Sequence, residues 1–352
     1  MRFSDSVVLI FGGTTGIGLM TTIDFIIHNT SHIILASRSE WKWKRAIEKI
    51  QNIFGDLVNL SNEFNISVLN STVEYIPCDI RIENDVKQTI QKIIDKYHYI
   101  NVYFNNAGIQ PTTGHTDGDI TEIEIPSEKL FDGTIVYKIS QNNSNNDNLN
   151  NDNSNNDNLN NDNSNNDNSS VCSTPASSYC ENPIATFVMG ITFCLKHEVK
   201  FALEQKSNIP VSIINMSSRN GVNIPSSDRP IYSACKAFIH SMTQTIATQS
   251  AKLGIEKNRS IRVNCIAPGP ILTPLEIPIF LPYKKNVFEP LTNLELQQFQ
   301  EIGSHGVPMK RTGTTNEISP TVLFLADYNQ SSYITGSTIT IDGGYTASPL
   351  IG

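Results

Sequence analysis

The stretch VVLIFGGTTGIG, residues 7–18, decides the fold of this chain. Its first five residues are apolar without interruption, which predicts a β-strand that is buried on both faces. The glycines Gly12, Gly16 and Gly18 then predict a tight turn that opens a helix. Such a turn lets the backbone approach a pyrophosphate, which the free N–H groups at the helix N-terminus bind. A turn without a ligand can need the same glycines, but the strand before them and the helix after them favour a dinucleotide site.

Further along the chain, short runs rich in Val and Ile alternate with longer, helix-like segments. The predicted strands are Val7–Phe11, Ile33–Ala36, Val73–Ile76, Val102–Asn105, Val211–Met216, Ile261–Ala267 and Thr338–Ile341. The predicted helices include Trp41–Gln51, Glu83–Tyr97, Thr186–Leu203 and Tyr232–Leu253. This alternation requires a parallel sheet with right-handed crossovers. The sequence therefore predicts an α/β fold, a Rossmann-like doubly wound parallel sheet with helices on both faces, whose ligands bind at the carboxyl ends of the strands.

Composition limits the classes of function. The 352 residues are 39% hydrophobic and carry a net charge of -8. No apolar run approaches the roughly 20 residues of a transmembrane helix, and the N-terminal apolar run is too short for a signal peptide. The six cysteines form no Cys-x-x-Cys pair and no metal-ligand spacing. We therefore expect a cytoplasmic protein with free thiols and no metal site. An acidic total without a basic cluster argues against nucleic acid as a partner.

One segment differs from the rest in composition. Residues 144–168 repeat a five-residue unit, SNNDN or LNNDN, with almost nothing apolar to bury. Because Asn and Asp favour turns over helix and strand, we expect residues 142–170 to be a disordered, Asn/Asp-rich insertion in a single domain that spans residues 1–352. A specific binding role for the repeat is the alternative. Extra chain at residues 52–70 predicts a second, smaller insertion.

The end of the second predicted strand indicates which dinucleotide binds. An acidic residue here would bind the adenosine ribose hydroxyls and repel a 2′-phosphate. This chain has the neutral Ser37 followed by Arg38, whose guanidinium can form a bidentate pair with a phosphate. The pattern therefore favours NADP(H) over NAD(H). A surface arginine without a ligand is the alternative.

A second group of residues indicates the chemistry. Tyr232 and Lys236 are four residues apart on a predicted helix and so share one face. A buried strand ends upstream of them at Ser217-Ser218, followed by Gly221. Since a free tyrosine titrates near pH 10, we expect the lysine ammonium and a cationic nicotinamide to lower the Tyr232 pKa. The alternative is an ordinary helix with a half-buried tyrosine and a solvated lysine.

The ordered motifs resemble those of the short-chain dehydrogenase/reductase family, in the single-domain branch that includes bacterial 3-oxoacyl-carrier-protein reductases. The resemblance covers nearly everything outside the insertions. It rests on Gly12-x3-Gly16-x-Gly18, Asp79, Asn105-Asn106-Ala107-Gly108, Ser218, Tyr232-x3-Lys236, Arg262-Val263-Asn264, the run from Pro268 to Thr273, Tyr333-Ile334-Thr335-Gly336 and Asp342-Gly343-Gly344.

The resemblance implies a role for each matching residue. Tyr232 would be the general acid or base for a carbonyl or alcohol, Lys236 would lower its pKa and bind the nicotinamide ribose, and Ser218 would hydrogen-bond the substrate oxygen. The cofactor would contact Gly12, Thr14, Gly16, Ile17, Gly18, Ser37, Arg38, Asp79, Ile80, Asn106, Ala107, Gly108, Tyr232, Lys236, Pro268, Gly269, Ile271 and Thr273.

The family also uses an asparagine, within the pattern Asn-x-x-Gly-x-Phe, to hold a water in a proton relay to the lysine. Here Asn182 stands in that position, with Ala185 for the glycine. A purely structural role is the alternative, because Asn followed by Pro183 suits an N-cap and a first helical position.

The resemblance implies that residues 275–307 form a lid over the substrate. The apolar run 277–283 in this segment suggests an apolar ketone or alcohol as substrate, unless these residues only pack the lid. We expect a soluble ketone reductase that forms a homodimer or homotetramer. A 3-oxoacyl-carrier-protein reductase is one alternative, for which Lys284 and Lys285 would offer a thin basic docking patch. A catalytically silent NADP(H)-binding sensor or scaffold is the other.

Overall fold

Nine strands form one sheet in the residues that the computed structural model describes, which are 3–109, 183–222, 224–226 and 229–348. These residues belong to the first of two units of the chain, Met1–Gly118 with Cys180–Gly352; the second unit is Asp119–Tyr179. The predicted insertion 142–170 and the candidate Asn182 lie outside the described residues.

The strands are β1 (Val7–Phe11), β2 (His32–Ser37), β3 (Val58–Asn62), β4 (Asn65–Val68), β5 (Ser71–Pro77), β6 (Val102–Asn105), β7 (Val211–Met216), β8 (Ile261–Pro268) and β9 (Thr338–Ile341). The helices of the described chain are α1 (Gly16–Ile27), α2 (Glu40–Phe54), α3 (Glu83–Tyr97), α4 (Ile191–Glu204), α5 (Pro230–Glu256), α6 (Ile277–Phe280), α7 (Asn293–Gly303), α8 (Thr315–Ala326) and α9 (Tyr328–Ser331). A π-helical segment, Ile184–Gly190, leads into α4.

The sheet order is β3-β4-β5-β2-β1-β6-β7-β8-β9. All neighbours from β5 to β9 in this order pair in parallel. From β1 the chain adds strands on one side through β2 and then on the other side through β6. The point at which the strand order reverses, at the carboxyl ends of β1 and β6, is where such sheets bind ligands. The predicted α/β architecture is confirmed.

Helices cover both faces of this sheet. Side chains of β1 alternate between two hydrophobic cores, with Val8 and Ile10 in one and Val7, Leu9 and Phe11 in the other. Helices α1, α2 and α8 pack on the first core, and α3, α4 and α5 pack on the second. The uninterrupted apolar run that opens the sequence is thus explained by burial on both sides.

All seven predicted strands are present, but the sequence did not predict the β3–β4 hairpin. It extends the sheet with two antiparallel strands beyond β5, within the segment 52–70 that was expected to be an insertion. The indole Nε1 of Trp43 donates to the carbonyl of Glu63 at 2.7 Å, and the same indole stacks on Tyr75 at 5.7 Å between centroids. The hairpin is therefore fastened to α2 and β5 by side chains outside its own sequence.

Two further expectations concern the whole described chain. None of its helices is long and apolar enough to cross a membrane. The four cysteines that the structure describes, Cys78, Cys194, Cys235 and Cys265, are buried free thiols.

Candidate active site

One cleft opens at the carboxyl ends of the parallel strands, with an empty volume of about 1230 Å³ that includes its open mouth. Of the predicted site residues that the structure describes, all except Gly18 line this cleft. The topology therefore brings together residues that are up to 261 positions apart in the chain, from Gly12 to Thr273.

The glycine loop forms one wall of the cleft. Gly12 has φ +81°, and a Cβ there would lie 2.7 Å from the Cα of Ala107. Gly18 lies behind the loop, where a Cβ would be 2.3 Å from the carbonyl oxygen of Gly12. The side chain of Asn106 donates from Nδ2 to that oxygen at 2.8 Å and so fastens the loop to the end of β6. Glycine is therefore required at both positions, for backbone conformation and for close packing.

The start of α1 fits a phosphate. Its N-cap residue Thr15 makes no side-chain capping bond, and its first turn has no acidic residue. The N–H groups at this helix end and the positive end of the helix dipole are thus left for an anion. The nearby Thr14 hydroxyl donates to the Ser37 hydroxyl at 3.3 Å, which joins the loop to the end of β2.

The far end of the cleft is cationic. Arg38, Lys42 and Arg81 all line it. Burial by itself would raise the pKa of Asp79, but hydrogen bonds from the Arg81 side chain and backbone outweigh it, so the pKa is lowered. The Arg81–Asp79 ion pair measures 2.5 Å. Asp79 therefore pairs with Arg81, and Arg38 and Lys42 add two further cationic side chains to this end of the cleft.

Ser218, Tyr232 and Lys236 meet at the other end of the cleft. Their exposed fractions are 9%, 6% and 4%. The Tyr232 phenol and the Ser218 hydroxyl are hydrogen-bonded to each other. The Lys236 ammonium lies 5.6 Å from the centre of the Tyr232 ring and donates to the carbonyl oxygen of Met216 at 3.0 Å. The arrangement places a hydroxyl, a phenol and an amine around one point at the end of β7.

The turn after β7 has to come very close to α5 for this arrangement. The Ser217 hydroxyl donates to the backbone carbonyl of Lys236 at 2.8 Å. A Cβ at Gly221 would lie 2.3 Å from the carbonyl carbon of the same residue. Gly221 is therefore the residue that lets the serine turn and the Tyr/Lys helix pack together.

The pKa of Tyr232 differs from the sequence-based expectation. Burial and the charge of Glu276 raise it to about 12, although Arg229 and the hydrogen bond with Ser218 oppose the shift. Burial also lowers the pKa of Lys236 to about 8. In the protein alone, desolvation therefore outweighs the effect expected of the lysine, and the phenol is protonated at neutral pH.

Sequence reasoning did not identify Phe187. This residue belongs to the π-helical segment, is fully buried and lines the cleft. Its ring packs edge-on against Tyr232 at 5.7 Å, and the Lys236 ammonium lies 4.0 Å from its centre. Phe187 thus packs beside both Tyr232 and Lys236, and its ring stabilises the Lys236 ammonium by a cation–π contact. Its place in the Asn-x-x-Ala-x-Phe pattern was the available signal.

A charged group beside Tyr232 was also missed. Glu276 lines the cleft and its charge acts on the Tyr232 phenol. The guanidinium of Arg229 lies 5.3 Å from the centre of the Tyr232 ring, and that of Arg219 lies 3.7 Å from the centre of the Tyr345 ring. Nothing in the sequence pattern marks these three charges, because only the fold brings them to one place.

The segment 275–307, which the resemblance predicts to be a lid, contributes few side chains to the cleft. Of its apolar residues, Ile277 and Leu281 pack with Phe299 into a small core of their own. The lid is also fastened to α2, since Arg45 donates to the carbonyl of Phe288 at 2.9 Å and Trp41 packs edge-on against the Phe288 ring at 5.1 Å. The apolar run therefore packs the lid and gives no evidence for an apolar substrate.

Comparisons with known proteins show what this chain is similar to. Residues 6–126 match the family model described as short chain dehydrogenase, and residues 172–346 match the one described as enoyl-(acyl carrier protein) reductase. The chain is 96% identical, over 352 residues and the full length of both proteins, to an uncharacterized short-chain type dehydrogenase/reductase of Acanthamoeba polyphaga mimivirus. It is 25% identical to a 3-oxoacyl-[acyl-carrier-protein] reductase of Thermotoga maritima, over 98% of this chain and 99% of the relative.

Solved structures show the same fold. Levodione reductase aligns with a TM-score of 0.65 at 21% identity, over 99% of this chain and all of the other. ElxO with NADP bound aligns with a TM-score of 0.63 at 24% identity, with the same coverage.

Proposed function

This chain belongs to the short-chain dehydrogenase/reductase family of oxidoreductases, which act on alcohol and ketone groups, and we propose that it is an NADP(H)-dependent reductase with Tyr232 as its general acid. The observation that carries the proposal is the hydrogen bond between Ser218 and Tyr232 in the same cleft as the glycine loop. The glycine loop, which would bind the cofactor, and the Tyr232 phenol, which would donate the proton, thus line the same cleft.

The cleft fits a nicotinamide dinucleotide. The glycine loop carries no side chains at Gly12 and Gly16, and Gly18 packs against the back of the loop. This leaves room for a pyrophosphate at the start of α1, where no side chain caps the helix. Ile271 and Thr273, after β8, would lie beside the nicotinamide, and Asn106 beside the adenosine ribose. The bound nicotinamide supplies or accepts the hydride, while the protein supplies position and the proton.

The proton chemistry follows from the pKa values. With a pKa of about 12, Tyr232 holds its proton at neutral pH and donates it to the carbonyl oxygen during reduction. Ser218 orients the phenol and hydrogen-bonds the same substrate oxygen. Lys236 stabilises the phenolate that is left, because its ammonium lies 5.6 Å from the ring. A protonated tyrosine is the form that the reduction step requires.

The preference for NADP(H) over NAD(H) is supported by charge. Ser37 places no carboxylate at the end of β2, and the cations of Arg38 and Lys42 line the adenosine end of the cleft. A 2′-phosphate would pair with them, whereas NAD(H) has no such group. ElxO, a protein of the same fold, was solved with NADP bound, which is consistent with this preference.

Cofactor binding tests the preference. We would titrate NADPH and NADH by fluorescence against the wild type, Arg38→Ala and the control Lys44→Ala, which removes an exposed charge from the neighbouring helix α2. A charge-assisted hydrogen bond is worth about 1.5–3 kcal/mol, so Arg38→Ala should weaken NADPH binding by about 10- to 100-fold and leave NADH binding nearly unchanged. Equal affinity of the wild type for both cofactors would refute the preference.

Two other functions have weaker support. A 3-oxoacyl-carrier-protein reductase is suggested by the Thermotoga maritima relative, but in the basic patch proposed for carrier docking Lys284 forms an ion pair with Glu295 at 3.0 Å. A catalytically silent NADP(H)-binding sensor has no need of the Ser218–Tyr232 hydrogen bond. Reduction of an acyl-carrier-protein substrate in preference to free ketones would establish the first alternative.

Two expectations from the resemblance belong to the same proposal. Asn182 would hold a relay water to Lys236, so Asn182→Ala should lower turnover at least tenfold without weakening NADPH binding. If the variant is only less stable and turns over normally, the capping role is favoured.

Assembly into a homodimer or homotetramer is tested by light scattering, and a monomer at micromolar concentration would refute it.

A further inference from the structure

Glu276 is held at one place in the cleft. It lies three residues after Thr273, and its backbone N–H donates to the Thr273 carbonyl at 3.1 Å and lies 3.3 Å from the Thr273 hydroxyl. These bonds fix the backbone from which the side chain reaches the cleft wall. Because its charge acts on Tyr232, the carboxylate lies close to the reacting end of the cleft.

The carboxylate of Glu276 lacks a donor within the described residues. No side chain or backbone group there donates a hydrogen bond to it or forms an ion pair with it. Burial raises its pKa, although Arg229 and Arg219 oppose the shift. A half-buried carboxylate without donors is costly, and an apolar substrate that covered it would increase the cost. The cleft therefore suits a ligand that brings its own hydrogen-bond donor.

The charges nearby limit what that donor can be. Arg219 and Arg229 act on both Glu276 and Tyr232, and among the described residues neither guanidinium forms an ion pair. They offset the attraction of Glu276 for a substrate ammonium group. A substrate carboxylate would meet Glu276 first, since Glu276 lines the cleft and the two arginines do not. A neutral hydroxyl group is the donor that both signs of charge tolerate.

We propose that Glu276 is a specificity-determining residue that accepts a hydrogen bond from a substrate hydroxyl near the reacting carbon. The substrate is then a neutral hydroxylated ketone or the corresponding diol. This inference rests on the proposed function, because it assigns a substrate class to the same cleft.

The test compares two ketones that differ by one hydroxyl, 2-hydroxycyclohexanone and cyclohexanone, with NADPH as the reductant. We expect the wild type to have at least a tenfold higher kcat/KM for the hydroxy ketone, mainly through a lower KM. Glu276→Leu should bring the ratio to about one, and Glu276→Gln, which keeps an acceptor oxygen, should retain part of it. Glu301→Gln, an exposed charge on α7, is the control and should keep the wild-type ratio.

The outcomes separate this inference from the proposed function. A wild type that reduces both ketones equally well, or a Glu276→Leu variant that keeps the wild-type ratio, overturns the role of Glu276 and leaves the reductase assignment intact. A protein that does not bind NADPH refutes the proposed function.

A binding readout covers the case in which neither ketone is reduced. Thermal stabilisation of the NADPH complex by trans-1,2-cyclohexanediol and by cyclohexanol is then compared. The diol should stabilise the wild type more than cyclohexanol does, and Glu276→Leu should remove the difference; equal stabilisation of the wild type by both alcohols overturns the proposal.

Discussion

The carboxyl group of Glu198, on α4, is fully buried beneath the sheet. Its Oε2 accepts a hydrogen bond from Nδ2 of Asn105 at 3.0 Å. Its Oε1 has no partner in the described chain, and neither does the buried Oδ1 of Asn105. Between these two side chains, the only hydrogen-bond donor is the amide of Asn105. If Glu198 carries a proton, its O–H supplies a second donor. Burial accordingly raises the pKa of Glu198 from 4.5 to about 8.

This shift makes stability depend on pH. The native state binds a proton at Glu198 more tightly than the unfolded state does, so this proton stabilises the fold. The stabilisation is complete below pH 4.5 and is lost as pH rises through 8. Each pKa unit is worth about 1.4 kcal/mol, which sets an upper limit of about 5 kcal/mol for the loss. Glu198→Gln keeps the shape and supplies a permanent N–H donor. We expect the variant to match the wild type at pH 5 and to be more stable by at least about 2 kcal/mol at pH 9, within that limit.

The assay is urea unfolding followed by far-ultraviolet circular dichroism between pH 5 and pH 9. The control is Glu204→Gln, since Glu204 is exposed on the same helix and should follow the wild type at every pH. If the curves of Glu198→Gln and the wild type run parallel from pH 5 to pH 9, Glu198 does not titrate in this range and the reasoning is refuted.

Three further predictions concern the cleft and its lid. Tyr232→Phe should lower kcat by about 10²- to 10⁴-fold without weakening NADPH binding, as measured by steady-state kinetics and fluorescence titration. Gly221→Ala should lower the free energy of unfolding by about 1–3 kcal/mol and also lower kcat, because its Cβ would overlap the backbone of Lys236. Phe288→Ala removes the ring that Arg45 and Trp41 contact and keeps the backbone carbonyl that Arg45 binds, so NADPH should dissociate up to about 10-fold faster in stopped-flow displacement.

Each of these predictions has a contrasting variant or outcome. For the glycine, Gly108→Ala is the control, because its Cβ would meet Phe187 at an ordinary 3.4 Å; equal stability of both variants would contradict the packing argument. For the lid, the exposed Tyr283 provides the control Tyr283→Ala, and equal release rates would show that the Phe288 contact does not retain the cofactor. Full activity of Tyr232→Phe would remove the proton-donor role.

The fold was largely predictable because its strands are buried on both faces. Continuous apolar runs such as Val7–Phe11, which alternate with longer helical segments, indicate a covered parallel sheet. The β3–β4 hairpin was not predictable by the same rule. Its strands are rich in Asn, which disfavours strands, and its stability depends on contacts with Trp43 and Tyr75 from other elements.

The site residues that could be predicted from the sequence are those with a fixed spacing along the chain. The glycine loop and the Tyr232-x3-Lys236 pair lie on single elements, and their partners follow strand ends that a parallel sheet brings to one edge. Charges that converge from distant loops, such as Glu276 and Arg229, have no spacing signal. The pKa of Tyr232 in the protein alone was not predictable for a related reason, since the burial that raises it depends on packing against residues such as Phe187 and not on its neighbours in the sequence.

The most direct test of the central claim follows the hydride together with the proton donor. The protein is incubated with NADPH that carries deuterium at both hydrogen positions of nicotinamide C4 and with a panel of ketones that includes hydroxy ketones, and the alcohols are analysed by mass spectrometry. We predict alcohols with deuterium at the carbinol carbon for the wild type and almost none for Tyr232→Phe. A wild type that binds NADPH and yields no deuterated alcohol, or a Tyr232→Phe variant that yields as much as the wild type, would contradict the account.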